Sequence, residues 1–362
     1  MTIVAQTHPF VIGVDSHART HTYAVIDAST GQLLACEQFP TSPGGLTRAI
    51  SWVARRTGGD ADALWAIEGI GTYGARLAAA VADAGYQIAE APRMNARNRH
   101  GIGKSDPLDA AAIAAAVLPL EVSKLRRPRT DDGARAGLRI LITTREQLTQ
   151  ERTMNVNALT ALLRVHALGI DARKPLTILQ IRETSRWRAR EEPMAAQIAR
   201  EEAIRLSKRT LELDEALKSN HARMTELIRA TPAAPLLEET GIGTVIAAVV
   251  ITAWSHPGRV RNEAAFASLA GVSPIPASSG NTVRHRLNRG GDRRLNRALH
   301  TATMVRMSYD PDTRAYVEKR LSEGRGRREI RRCLKRYLAR RLYRQLNALH
   351  AETTVMPRWR GG

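Results

Sequence analysis

Strand signals in this 362-residue chain are confined to residues 10–91, and that confinement limits its fold more than any other feature. Residues 10–39 hold three apolar runs typical of β-strands, with a turn at Thr30–Gly31 between the last two. Amphipathic helices then alternate with two more short strands up to residue 118. The predicted strands are Phe10–Asp15, Thr22–Asp27, Gln32–Phe39, Ala63–Glu68 and Tyr86–Ala91, and the predicted helices are Gly44–Arg56, Tyr73–Ala84 and Asp106–Leu118. This order predicts an α/β domain with a mixed sheet.

The segment from Thr130 to Ala230 has apolar residues at helical spacing and charged residues on the other faces. This pattern is typical of antiparallel coiled-coil arms, although a plain helical linker domain fits it equally well. Pro175 and Pro193 interrupt the pattern, so we expect two long helices with a turn or insertion at residues 170–195.

A third, mostly α-helical part follows from residue 233. We expect a helix, a Gly-Ile-Gly turn and a second helix from Leu236 onward, which resembles a helix-hairpin-helix element. A short helix at 262–270, a polar loop at 271–291 and helices over Arg293–Ser308 and Arg314–Leu349 come next. The predicted domains are therefore 1–128 (α/β), 129–232 (helical coiled-coil arm) and 233–350 (mostly α), with a disordered tail at 351–362.

The basic charge of the chain is concentrated near its C-terminus. Residues 281–345 hold 20 Lys and Arg residues against six Asp and Glu residues, which places 14 of the 20 net positive charges there. Such clustering is typical of nucleic-acid binding, and the dominance of Arg favours bidentate contacts with phosphate or guanine. The alternative is a solvated basic helix surface. Cys36 and Cys333 are the only cysteines, which excludes a disulfide framework and a cysteine zinc site.

Targeting and membrane segments are not predicted. The N-terminus lacks a positive stretch followed by an apolar run, and no apolar span of the length that crosses a bilayer occurs. We therefore expect a cytoplasmic protein without a membrane partner.

Four carboxylates lie where secondary-structure elements end or begin. Asp15 and Glu68 end two predicted strands, and Asp106 and Asp109 open a predicted helix. Hard divalent cations such as Mg²⁺ or Mn²⁺ prefer carboxylate oxygens, and two ions can clamp the attacking and leaving oxygens of a phosphoryl transfer. For the helical pair alone, an N-cap at Asp106 with Asp109 in a capping box explains the residues equally well.

Two further segments carry candidate nucleic-acid chemistry. Backbone N–H groups at the Gly241–Gly243 turn could hold a phosphate, although a simple turn between helices gives the same sequence. Farther along, Ser279 lies before a glycine, in a loop followed by many arginines, and could attack a phosphodiester. On composition alone a plain polar loop is favoured there, and Ser278 is adjacent. The arginines of this region are Arg284, Arg286, Arg289, Arg293, Arg294 and Arg297.

Together these segments resemble the DEDD-type transposases with a catalytic serine, the insertion-sequence recombinases guided by a bridge RNA. The strand ending at Asp15, Glu68-Gly-Ile-Gly-Thr-Tyr and Lys-Ser-Asp-Pro-Leu-Asp109 resemble the RuvC-like half of that family, which has an RNase H fold. Glu-Thr-Gly-Ile-Gly243, Phe266-Ala-Ser-Leu-Ala-Gly-Val-Ser-Pro, Ser279-Gly and Gly-Asp-Arg-Arg-Leu-Asn-Arg297 resemble its C-terminal transposase half.

The resemblance implies metal ligands at Asp15, Glu68, Asp106 and Asp109 and a nucleophile at Ser279. It implies serine attack on DNA, a covalent phosphoserine link and strand exchange between donor and target. It further implies a bridge RNA partner and a homo-oligomer, from dimer to tetramer, joined through the helical arms, in a bacterial protein associated with the nucleoid when active. Two other classes stay open: a RuvC-like hydrolytic endonuclease that uses water and metal, and a catalytically inactive, nucleic-acid-binding remnant of a transposase.

Overall fold

The computed structural model describes residues 2–92, 105–129, 133–277, 285–286, 288 and 290–355. The chain divides into two compact units, residues 1–130 with 255–266 and residues 131–254 with 267–362. None of the helices in the described part of the chain combines the length and apolarity that a membrane crossing needs.

The first unit is built on a five-stranded mixed sheet in the order β3-β2-β1-β4-β5. Antiparallel pairing joins β1 to β2 and β2 to β3, whereas β4 runs parallel to β1 and β5 parallel to β4. The strands are β1 Phe10–Ser16, β2 Thr20–Asp27, β3 Leu33–Pro40, β4 Leu64–Ile67 and β5 Gln87–Glu90. The sequence prediction of a mixed sheet in an α/β unit is therefore confirmed.

Both faces of this sheet are covered by helices. The helices of the unit are α1 Val4–Thr7, α2 Pro43–Thr57, α3 Ala75–Asp83 and α4 Asp106–Val117. Ile12 and Val14 of β1 pack into the core formed with α2 and α3, whereas Val11 packs into the core formed with α4. Successive side chains of a strand point to opposite faces. Gly13 and Asp15 therefore lie on the same face as Val11, the face that α4 covers.

Two long antiparallel helices form the start of the second unit. They are α5 Ala134–Val165 and α7 Met194–Arg229, with the short α6 Ile178–Ser185 between them. Their direction follows from the contacts: Asn220 donates to the carbonyl of Leu141, whereas Arg152 near the middle of α5 pairs with Asp214. The two long helices and the interruption at 170–195 are as predicted.

The remaining elements are short, apart from the basic helices at the end of the chain. They are a 3₁₀ helix at Ala234–Glu238, α8 Thr244–Trp254, α9 Glu263–Leu269, β6 Ile275–Pro276, β7 His285–Arg286, α10 Arg293–Tyr309, α11 Pro311–Ser322 and α12 Arg327–Val355. Helix α8 is almost wholly buried and packs against α5, α7, α10 and α12. Residues 356–362 of the predicted disordered tail lie outside the described residues.

Three predicted elements differ in the structure. The first arm of the helix-hairpin-helix element is a five-residue 3₁₀ helix, because Pro235 and the left-handed Gly241 (φ 82°) leave no room for two α-helical turns. The single helix predicted over Arg314–Leu349 is two helices, because Gly324 has a φ of 79° and ends α11. The loop at 271–291 contains the β6–β7 pair.

Candidate metal centre and nucleic-acid interface

The predicted acids of the two strands lie at the same end of the sheet. Asp15 lies near the carboxyl end of β1, and Glu68 directly follows the parallel strand β4. The backbone N–H of Glu68 donates to the carbonyl of Val14 (3.0 Å), and the Ser16 hydroxyl donates to the carbonyl of Glu68 (2.7 Å). Asp15 is buried, whereas the side chain of Glu68 is exposed at this edge.

A cross-strand row of polar side chains continues from Asp15. Asp15 pairs in register with Thr22 of β2, and Thr22 pairs with Gln38 of β3. The Gln38 amide donates to the Thr22 hydroxyl (3.2 Å) and, at 3.5 Å, to an oxygen of Asp106. Gln38 is thus a polar neighbour of the site that the sequence did not single out.

The position of α4 depends on a glycine in β1. A Cβ atom added to Gly13 would lie 2.1 Å from the carbonyl oxygen of Ala110 and 2.6 Å from the nitrogen of Ala114. Only glycine permits this close approach of helix to strand. Because Gly13 and Asp15 share a face, the same contact brings the first turn of α4, which carries Asp106 and Asp109, to the end of β1.

Three side chains converge there. The Nε2 atom of His17 lies 3.1 Å from Oδ2 of Asp15 and 3.7 Å from Oδ1 of Asp106. Ligand atoms of the three residues all lie within 4.8 Å of one another. His17 was not predicted from the sequence, although its position two residues after Asp15 is a signal that could have identified it.

The surroundings of Asp15 disfavour the ionised form of its carboxyl group. Burial raises the pKa of the Asp15 carboxyl, and the nearby carboxylates of Asp109 and Asp106 raise it further, whereas the charge and hydrogen bond of His17 act in the opposite direction. The net pKa is above the ordinary value. A bound cation would offset the cost of this charge.

Among the described residues, the cluster of Asp15, His17 and Asp106 does not include Glu68 or Asp109. Asp109 is close enough to Asp15 to affect its pKa, one turn farther into α4. The structure therefore brings Asp15 and Asp106 together with His17 and places Asp109 and Glu68 beside them.

The helix-cap explanation of Asp106 does not hold. Ser105 occupies the N-cap, since its backbone is extended (φ −149°, ψ 150°) and its carbonyl accepts from the N–H of Asp109 (3.0 Å). Asp106 is instead the first helical residue, and its carboxylate faces His17 and Gln38. Both acids still benefit from the positive end of the helix dipole.

The predicted nucleophile lies outside the described residues, as do Ser278, Arg284 and Arg289. What the structure does describe is the base of the loop that carries Ser279. A Cβ on Gly291 would lie 2.4 Å from the nitrogen of Gly271, and the N–H of Asp292 donates to the carbonyl of Leu269 (2.6 Å). The two ends of this loop are therefore held against each other.

The predicted arginines differ in their surroundings. Arg286 and Arg293 are exposed on β7 and at the start of α10. Arg294 and Arg297 each lie 2.7 Å from a carboxylate oxygen of Glu146 on α5. Because Arg294 and Arg297 share the negative charge of Glu146 and are held by it, we expect Arg286 and Arg293 to contribute more to nucleic-acid binding.

The two glycines of the predicted phosphate-binding turn also differ. A Cβ on Gly241 would lie 2.8 Å from the carbonyl oxygen of Ala302, so Gly241 is needed for the packing of the turn against α10. Gly243 is exposed at the start of α8 and has open space around it. Gly243 remains the predicted phosphate contact.

Two stretches of the chain match known protein families. Residues 12–167 match a model described as a transposase, the DEDD transposase of IS110, and residues 233–318 match the model of the transposase IS116/IS110/IS902 family. The first stretch contains all four predicted acids, and the second contains the predicted serine. Both matched stretches are transposase domains, which is the class of protein that the fold and site define. The two domains are of the IS110 type.

Two relatives extend the similarity over most of the chain. An uncharacterized 43.6 kDa protein of insertion element IS110 from Streptomyces coelicolor is 25% identical over 348 residues, which cover 82% of this chain and 84% of that protein. An uncharacterized 42 kDa protein of insertion element IS900 from Mycobacterium paratuberculosis is 26% identical over 373 residues, which cover 88% of this chain and 90% of that protein.

Proposed function

We propose that this transposase moves an insertion element by cleaving and rejoining DNA at a composite site. One half is an RNase H- or RuvC-like metal centre on the sheet of the first unit, and the other is Ser279. The observation that carries the proposal is the convergence of Asp15, His17 and Asp106 at the end of β1, beside Glu68 and Asp109. Acids gathered in this way on a chain of net charge +20 suit a cation that works on a polyanion.

The residues present fit a divalent metal such as Mg²⁺ or Mn²⁺. Asp15 and Asp106 offer carboxylate oxygens, and His17 offers an imidazole nitrogen that already lies within hydrogen-bonding distance of Asp15. A bound divalent cation supplies Lewis-acid stabilisation of the charge that develops on phosphate oxygens. The buried β1 strand and the close packing at Gly13 hold the two aspartates in place before any ligand binds.

Ser279 is the proposed nucleophile. Its oxygen attacks a phosphorus of the DNA backbone, the serine proton passes to a base, and one strand end leaves as a free hydroxyl after taking up a proton. A serine–phosphate ester replaces the broken DNA ester, so the number of phosphoester bonds is unchanged. Attack by a hydroxyl of the second DNA then reforms a DNA phosphodiester and frees the serine. No external energy source is needed because each step is a transesterification.

A guide RNA and self-association complete the proposal. The family resemblance supports a bridge RNA that selects donor and target, and the long α5 and α7 helices provide a surface through which copies of the chain can join. In a dimer or tetramer, the acidic centre of one copy would assist the serine of another.

Adduct mapping tests the nucleophile directly. The full-length protein is incubated with element-end DNA, target DNA, the RNA transcribed beside the element and Mg²⁺ or Mn²⁺, and denaturing gels report covalent protein–DNA species. We expect mass spectrometry to place the adduct on Ser279, and Ser279→Ala to lose it while retaining DNA binding. Ser278→Ala is the matched control and should keep the adduct.

The same experiment separates the alternative classes. If Ser279→Ala still cleaves DNA in the presence of metal, the acidic centre acts with water, as in a hydrolytic endonuclease. If neither the parent protein nor any variant cleaves, the chain is a nucleic-acid-binding remnant. Both outcomes would reject the serine mechanism.

A further inference from the structure

A cavity of about 240 Å³ lies in the second unit between the base of the serine loop and α12. Its volume is far above the ~10–15 Å³ that a single water needs. One wall is formed by Gly271–Pro274 with Arg286 and Asn288, and the other by residues of α12.

The α12 wall presents one face of the helix. Glu329, Arg332, Cys333 and Arg336 follow the spacing i, i+3, i+4 and i+7, which places them side by side. Lys335 also lines the cavity. With Arg286 from the opposite wall, the described lining holds four cationic side chains and one carboxylate.

Several arginines of this unit are paired with acids, whereas the described arginines of the cavity are not. Arg152 pairs with Asp214, and Arg306 pairs with Glu239 and Asp310. Among the residues that the structure describes, Arg286, Arg332 and Arg336 have no carboxylate partner. The one acid of the cavity, Glu329, is paired with Arg325 at 3.1 Å. Unneutralised cations around a cavity favour an anionic occupant.

Lys335 connects this cavity to the serine loop. Its ammonium donates to Oδ1 of Asn296 (2.8 Å), and the Asn296 amide donates to the carbonyl of Ala270 (2.7 Å), next to Gly271. An ammonium has three donors, and this contact uses one. Burial and the charge of Arg331 lower the pKa of Lys335, as expected where cations are crowded without an anion.

We propose that this cavity binds a backbone phosphate of a nucleic-acid strand through Arg286, Arg332, Lys335 and Arg336, and so positions that strand beside the loop of Ser279. Guanidiniums bind phosphate in bidentate fashion, and the apolar surfaces of Val272, Pro274 and Cys333 suit an adjoining sugar or base. The proposal rests on the proposed function in that the chain must act on DNA. It adds a phosphate subsite whose occupancy can be measured without catalysis.

Cys333 provides a reporter inside the cavity. The chain has only two cysteines, so Cys36→Ser leaves Cys333 as the single thiol. Its rate of alkylation by the uncharged reagent N-ethylmaleimide is measured alone and with saturating DNA oligonucleotide, RNA oligonucleotide or inorganic phosphate. We expect a nucleic-acid strand to slow alkylation several-fold, and the DNA and RNA arms identify which strand occupies the cavity. Protection by inorganic phosphate alone, or by none of the three, would overturn the proposal.

Charge-matched variants complete the test. Arg332→Gln with Arg336→Gln should lose the protection, weaken binding of the protecting oligonucleotide, and lower the slope of log affinity against log salt by about 1 to 2. Arg327→Gln with Arg328→Gln removes the same charge from exposed positions of the same helix and should retain the protection. If both double variants lost protection equally, the cause would be the overall positive charge of the helix and not the cavity. That outcome would reject the site. Because no step is catalytic, failure of the Ser279 mechanism leaves these outcomes unchanged.

Discussion

His17 and Asp15 lie in direct contact at the end of β1, with Nε2 of the histidine 3.1 Å from Oδ2 of the aspartate. The same nitrogen lies 3.7 Å from Asp106, which enters from α4. An imidazole thus stands between two carboxylates that belong to different elements. Nitrogen ligands suit transition metals such as Mn²⁺ better than Mg²⁺, so the contact bears on the choice of metal as well as on its binding.

His17→Asn should therefore weaken the binding of Mn²⁺ more than that of Mg²⁺. Loss of a ligand or of its close support typically costs about 10–100-fold in metal affinity. Titration of the metal-free protein with Mn²⁺, followed by electron paramagnetic resonance, measures this directly, and competition with Mg²⁺ gives the selectivity. His221→Asn, on the exposed surface of α7, is the control and should leave both affinities unchanged. An unaltered Mn²⁺ affinity in His17→Asn would exclude His17 from the centre.

Asp15→Asn should make the metal-free protein more stable at neutral pH. Because the pKa of Asp15 is raised in the folded state, mainly by burial, the folded protein holds this proton more tightly than the unfolded chain. The stability that the protonated Asp15 carboxyl contributes is complete at pH values below the ordinary carboxyl pKa. It is lost as the pH rises through the raised pKa of the folded state. An asparagine carries no such charge.

Thermal unfolding in chelator measures this effect. We expect a higher melting temperature for Asp15→Asn than for the parent protein at pH 7.5, and a difference that shrinks toward pH 4. Added Mn²⁺ should stabilise the parent protein and not the variant, because only the parent protein binds the ion in its folded state. A variant less stable than the parent at both pH values would contradict the inference.

Glu68→Gln should abolish metal-dependent strand transfer without unfolding the protein. The Glu68 side chain is exposed, and the contacts that hold this residue run through its backbone to Val14 and Ser16. Circular dichroism should therefore be unchanged while the DNA product disappears. Glu37→Gln, an exposed acid on β3 of the same sheet, is the matched control and should retain activity. Full activity of Glu68→Gln would remove this acid from the site.

Gly13→Ala should destabilise the first unit and weaken metal binding together. The new methyl group would meet the backbone of α4 at 2.1 Å, so the helix must move away from β1 and carry Asp106 with it. Overpacking of this kind typically costs about 1–3 kcal/mol. Urea unfolding and Mn²⁺ titration report the two effects. Gly71→Ala has open space around its Cβ and should show neither.

Much of the local structure was predictable because the spacing of apolar residues over short stretches indicates where helices and strands form. The five strands and the helices α2, α3 and α4 lie within a few residues of their predicted bounds, whereas the short α1 was not predicted. The long helices α5 and α7 flank the break at Pro175 and Pro193. Boundaries that depend on a single backbone conformation were missed. Gly324 divides a segment whose apolar spacing alone indicates one helix.

The sequence by itself determined which acids stand at the ends of strands and that the basic charge lies near the C-terminus, because both are properties of order along the chain. Only the tertiary structure decided which of these groups meet. Packing of α4 on Gly13 brings Asp106 to Asp15 and His17. Packing against α5 pairs Arg294 and Arg297 with Glu146, whereas Arg332 and Arg336 meet no carboxylate among the described residues. Such pairings join residues far apart in the chain, and short-range periodicity does not encode which of them come into contact.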